Sequence, residues 1–297
     1  MANLYTEVSK NVTKTWIFMS GFLVLIIGLG WIFAQAYGND LILYVAVIFS
    51  TVMSITSYWF SDKIVLSISH AKPVEKKDNP ELYRLVENLS ITAGLPAPKV
   101  YIIETPALNA FATGRDKYHS VIAVTRGLLG AMEKEELEAV LAHEMSHIGN
   151  RDILISTIVV VFAGMISVMA NIFLRMNFFR GGGRKKGGEI FLLIGIIAAI
   201  LAPIAATLIK LAISRRREFL ADASGVLLTR YPDGLIRALA KLKADEHPMP
   251  YAGPATSHLY IDEPMGRGEQ KGSFFAKIFM THPPIEERIT ALLGMKF

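Results

Sequence analysis

The 297-residue chain has no Cys, which excludes thiol nucleophiles and disulfides, and its net charge of +5 does no more than suit an anionic membrane surface. With 52% hydrophobic residues and a positive mean hydropathy, it is too apolar for an ordinary soluble domain.

The first two predicted elements, Trp16 to Tyr37 and Leu41 to Phe60, carry no Lys, Arg, Asp or Glu. Each is long enough to cross a hydrocarbon core of about 30 Å. Only Gly38-Asn39-Asp40 separates them, so they read as a membrane hairpin; the first is too long for a signal peptide. Asn79-Pro80 then opens a helix whose Leu82, Leu85, Val86 and Leu89 share one face and which ends at Gly94. Two runs rich in branched residues, Val100 to Ile103 and Ser120 to Val124, read as strands. Between them, Asn109 to Gly114 is short and could form an edge strand turning at Arg115-Asp116. Such an edge can accept an extended peptide through its main chain; a plain hairpin in a small sheet is the equal alternative.

His143-Glu144-Met145-Ser146-His147 is the most informative stretch. Carboxylates at Glu133, Glu135 and Glu136 suit a helix first turn, and Leu137, Val140, Leu141 and Ile148 recur at helical spacing before a stop at Gly149-Asn150. On a helix, positions i and i+4 share a face, so both imidazoles can reach one metal ion. Glu144 points off that line, where it can take a proton from water without being a ligand. Packing gives no reason for this spacing, whereas zinc-dependent hydrolysis does.

Two further charge-poor runs follow, Ile153 to Leu174 and Ile190 to Ile213, the second interrupted only by Lys210. They predict a second hairpin. Its connecting loop holds a basic, Gly-rich segment from Arg180 to Gly188, which fits lipid headgroups better than nucleic acid. Next, Glu218 and Asp222 lie four residues apart, beyond the end of the apolar run. Glu218 can supply the third ligand a catalytic zinc requires, and Asp222 can accept the spare ring N–H of a ligand His. If His147 and Glu218 share one metal, Asp152 and Ser214 lie on one side of the membrane. Basic residues crowd that side, from Lys10 and Lys14 to Arg215, Arg216 and Arg217, which favours a cytoplasmic site.

The remainder reads as soluble helix and loop. Asp233 can cap a helix burying Leu235, Ile236, Leu239 and Leu242. Asp245 to Lys271 looks like a mobile loop, with His247 and His258 as spare ligand candidates. Thr281-His282-Pro283-Pro284 opens a last helix with Ile285, Ile289 and Leu292 inward. His282, fixed ahead of it, can donate to an oxyanion or simply serve as a cap. The expected units are therefore a membrane hairpin (1–60), a first protease half (61–152), a second hairpin (153–213) and a second protease half (214–297).

Two spans, NAFATG, HEMSH with Asp152 behind it, a hydrophobic hairpin, REFLAD and THPPIEERI, taken in this order, resemble the HtpX-type membrane zinc metalloproteases. These group with the CAAX prenyl proteases and the mitochondrial Oma-type proteases as gluzincins. The resemblance implies a mainly α-helical, multi-pass membrane protein with about four transmembrane helices and a zincin-like α+β domain carrying a small sheet. It implies one zinc per chain on His143, His147 and Glu218, with Glu144 as base and His282 as transition-state stabiliser. Asn109, with Ala110 and Phe111 on the same strand, would contact the substrate backbone. The implied role is quality control at the cytoplasmic face of the cell membrane, cutting misfolded or damaged membrane proteins. Two other readings remain: a zinc-binding scaffold or transporter without proteolysis, and a CAAX-type prenyl-protein protease, which calls for more spans.

Overall fold

The computed structural model describes residues 4–164, 215–252, 256–262 and 283–295. Helices α1 (Leu4–Tyr37) and α2 (Leu41–Ile68) form an antiparallel hairpin. Gly38, at φ 61, makes the turn, and Asn39 Oδ1 accepts the Leu41 N–H at 3.0 Å. Two segments in it, Asn11–Gln35 and Leu41–Ile68, are long and apolar enough to cross a membrane. Their surface is the inverse of a soluble helix. Trp16, Val24, Trp31, Tyr44, Val45 and Ile55 face outward, whereas Ser50, Ser54, Ser57 and Ser61 are buried. Small residues let the backbones approach, as membrane packing favours. At Gly30 an added Cβ would fall 2.3 Å from the Ala46 Cβ.

The soluble part is built on a four-stranded sheet in the order β1-β2-β4-β3, from β1 (Lys72–Pro73), β2 (Lys99–Ile103), β3 (Ala110–Gly114) and β4 (Ser120–Thr125). β2 and β4 are parallel and the other pairings antiparallel, and the order leaves β3 at one edge, a place its sequence allowed. Between β1 and β2, α3 (Pro80–Ala93) starts where Asn79 Oδ1 accepts the Leu82 N–H and stops at Gly94, φ 65. The short α4 (Arg126–Ala131) leads into α5 (Lys134–Gly149), which carries both His. At its start the Glu133 N–H donates to Glu136 Oε2 at 2.8 Å. The buried Glu136 also pairs with Lys241 at 2.6 Å.

After α5 the chain turns through 84° into α6, Asp152–Gly164. Arg151 makes the corner at φ 56, a left-handed conformation that costs a residue with a Cβ about 1–2 kcal/mol. Helix α6 packs on α1, with Phe162 stacked on Phe22 at 4.1 Å. Of the expected second hairpin, this first part lies on a helix; the rest of Ile153 to Leu174 and all of Ile190 to Ile213 fall outside the described residues. Among the described residues two helices are long and apolar enough to cross a membrane, or three if the bent pair of α5 and α6 is one span.

Helices α7 (Arg215–Thr229), α8 (Pro232–Ala244) and α9 (Ile285–Leu293) complete the fold around α5. Helix α8 begins two residues earlier than expected. Pro232 takes the first helical position after Tyr231, and Asp233 falls in the first turn rather than capping it. Part of the expected mobile loop, Thr256 to Asp262, is instead packed. Ser257–Leu259 forms a 3-10 turn, and Tyr260 is buried with its ring edge-on to Phe111. The apolar Leu259, Tyr260 and Ile261 account for this, since they gain more by covering β3 than by facing water.

Candidate active site

Helix α5 presents His143 and His147 on one face, with Nε2 atoms 3.1 Å apart. Helix α7 lies against this face because Gly225 permits it; a Cβ there would meet the His143 amide nitrogen at 3.0 Å. The close approach delivers Glu218. Its carboxylate oxygens lie 3.8 Å from each Nε2. Ligand atoms on a tetrahedral zinc with bonds near 2.0–2.1 Å are separated by about 3.3 Å. The two Nε2 atoms stand near that separation at 3.1 Å, each has a different Glu218 oxygen at 3.8 Å, and one donor atom from each residue lies within 4.8 Å of the others, so two imidazoles and one carboxylate can close on a zinc ion.

The rear of each ring strengthens the fit. His143 Nδ1 lies 2.9 Å from Asp222 Oδ1, and His147 Nδ1 lies 3.2 Å from Asp152 Oδ2. A carboxylate only accepts, so each Nδ1 carries a proton, which leaves Nε2 of each ring as the atom that can bind a metal. Asp222 is where the sequence put it. Asp152 is a partner that the sequence offered as a topology marker and as part of the motif order, without a role at the metal.

Arg288 is a second residue missed. It is fully buried on α9 and grips Asp222 with two bonds, Nε–Oδ2 at 2.8 Å and Nη2–Oδ1 at 2.6 Å. Its Nη1 donates to the Ile261 carbonyl at 3.0 Å. One signal was available: Arg288 sits three residues after Ile285 and four before Leu292, on the face a helix of this kind fills with apolar side chains. Burial alone would raise the Asp222 pKa, but Arg288 and His143 outweigh it and hold the carboxyl well below the usual range.

Glu144 is buried beside this triangle. Burial pushes its carboxyl above the ordinary range, while His143, His147 and a hydrogen bond from the Ala112 amide restrain the shift. In the metal-free protein, burial disfavours a charged His147. The Asp152 hydrogen bond and the charges of Glu218, Asp152 and Glu144 prevail, raising its pKa to about 9.

A cavity opens over the triangle, lined by Ala112, Glu144, Arg217, Leu259 and Ile261 among others. Arg217 is buried, with Nη1 3.9 Å from Asp152 Oδ1. Backbone groups of Ala110 and Ala112 point to this side, whereas Phe111 faces β4 with its side chain in the core. The outer edge of β3 is already engaged. Ala110 accepts the Ile261 N–H at 3.0 Å, and the Asn109 side-chain amide donates to the Asp262 carbonyl at 3.1 Å. His258 lies at the rim, its Nε2 donating to the Ser156 carbonyl at 3.1 Å. His247 is exposed and pairs with Asp245. His282 lies outside the described residues.

The description of peptidase family M48 matches residues 76–296. The chain belongs to this family. A protease HtpX homolog of Tropheryma whipplei (strain Twist) is 41% identical over 293 residues, covering 98% of each chain. One from Syntrophobacter fumaroxidans is 44% identical over 290 residues, covering 95% of this chain and 98% of its own. The crystal structure of S. mikatae Ste24p aligns with a TM-score of 0.50 at 21% identity, over 94% of this chain and 67% of that one, which shows a shared fold. This M48 peptidase is a membrane metalloprotease of the HtpX type.

Proposed function

We propose that this M48 peptidase is a zinc-dependent endopeptidase of the cell membrane that cleaves misfolded or damaged membrane proteins from the cytoplasmic side. The observation that carries the reading is the donor triangle of His143, His147 and Glu218 with a carboxylate behind each imidazole. These three residues would hold one zinc ion per chain. When bound, zinc supplies Lewis-acid polarisation of a scissile carbonyl and lowers the pKa of water toward about 7.

The protein's residues do the rest. Glu144, with its pKa raised, takes the proton of the attacking water as the new C–O bond forms, and returns it to the amine nitrogen as the C–N bond breaks. Asp222 and Asp152 keep both rings in the required tautomer. His282 is our proposed oxyanion donor. The substrate main chain would pair with Asn109 and Ala110 along β3, which requires it to displace Ile261 and Asp262 from that edge. Main-chain pairing gives broad sequence tolerance, which suits a quality-control substrate range. Residues 61–152 and 214–297 together form the protease domain, and 153–213 forms a second membrane hairpin between them.

The test is cleavage of an unfolded model protein such as casein by detergent-purified enzyme. Loss of cleavage on chelation and its return with zinc support the reading. Chelator-insensitive cleavage contradicts it, and a bound zinc without any cleavage favours a scaffold.

A further inference from the structure

The end of the first membrane helix reaches the metal site. Asn11 lies at the start of the first candidate span yet is only 2% exposed. It shares a buried stripe with Thr15, Met19, Phe22 and Ile26, where the helix otherwise meets α6 through apolar side chains. Its Nδ2 donates to the Asp152 carboxylate at 2.6 Å and to the Asn150 carbonyl at 3.1 Å. These two acceptors flank Arg151, the left-handed residue of the corner between α5 and α6. One amide therefore clamps both sides of a strained turn. The same Asp152 holds the Nδ1 proton of His147.

We propose that Asn11 is a positioning residue for the metal centre: by fixing Asp152, it aims the His147 imidazole at the zinc. The argument rests on the zinc-protease reading above. Both contacts of Asn11 are to acceptors, so the donated N–H groups, rather than the shape of the side chain, carry the function. A mere anchor for the membrane hairpin would need no donor pair aimed at a metal-ligand partner. A further consequence is mechanical. A displacement of α1 in the bilayer moves Asp152, so packing of this helix is coupled to zinc binding.

The test uses the full-length protein in detergent and reads zinc affinity by chelator competition, with thermal stability of the chelated form alongside. Asn11→Leu keeps the branching and suits a membrane helix, and Asn11→Asp keeps the shape, loses the donors and sets a second carboxyl against Asp152. Both should weaken zinc binding about 10-fold or more, the range seen when the partner of a ligand His is lost. Thr15→Val, one turn along on the same face, should leave it unchanged. On an Asp152→Ala background, Asn11→Leu should have no further effect, because Asn11 acts through that carboxylate. Wild-type zinc affinity in either folded Asn11 variant, or equal losses with and without Asp152, would overturn the inference. If the wild type itself binds no zinc, the zinc-protease reading falls and this inference with it.

Discussion

Replacing Arg288 with Met should unsettle the protein more than any exposed change. The guanidinium is wholly buried, and it compensates a buried Asp222 through contacts of 2.8 and 2.6 Å. Met removes the charge at similar length, which leaves Asp222 with His143 as a weaker partner and the Ile261 carbonyl without its donor. Removing one member of a buried ion pair costs about 3–5 kcal/mol. For a protein of this size each kcal/mol lowers Tm by about 2–4 °C, so a fall of about 6–20 °C is expected. The assay is thermal unfolding in detergent, with chelator present so that zinc does not mask the loss. Adding Asp222→Leu should recover most of that stability, because two apolar side chains can replace a buried pair at little cost. It should not recover zinc affinity, since His143 then lacks its carboxylate. An unchanged Tm in Arg288→Met, or a double variant no more stable than the single, would refute the reasoning.

Zinc affinity should depend on pH through His147. Its metal-free pKa of about 9 means that zinc displaces a proton at neutral pH. Apparent affinity should then climb about tenfold per pH unit between 7 and 9 and level off above, measured by competition with a chelator of known pH dependence. The sign for folding is opposite. A raised His pKa contributes stability that is complete below the unfolded value of about 6.5 and is lost as pH rises through about 9. The Tm of chelated enzyme should therefore fall across that window; a rise would contradict the assignment. Asn109→Ala removes a hydrogen-bonding amide from the β3 edge and should raise KM about 5- to 100-fold with a smaller change in kcat. Steady-state kinetics on an internally quenched peptide would check this, and an unchanged KM would exclude Asn109 from substrate binding.

Local rules account for what could be read from the chain alone. The cap at Asn79, the left-handed stop at Gly94 and the stripe of α5 follow from neighbouring residues, and so does the common face of His143 and His147. Glu218 and Asp222 needed a mechanistic argument, because zinc chemistry demands a third ligand that no local pattern supplies. The partners that were missed are long-range. Arg288 meets Asp222 from 66 residues away, and Asn11 meets Asp152 from 141 away. Each appears in the sequence only as a polar residue on a stripe that should be apolar. Thr256 to Asp262 was misread because a Pro- and Gly-rich loop gives no local sign that three apolar residues within it will dock on β3. The serines of α2 are buried because in a membrane helix the small-residue face is the packed one.

The central claim is that Glu144 performs the proton transfers beside a zinc held by other residues. The most direct measurement compares wild type with Glu144→Ala for zinc content and for the rate of casein cleavage in the same preparation. The account predicts one zinc per chain in both and a rate at least about 10²- to 10⁴-fold lower in the variant, the usual contribution of a positioned general base. Cleavage by Glu144→Ala at the wild-type rate, sensitive to chelator in both, would contradict it.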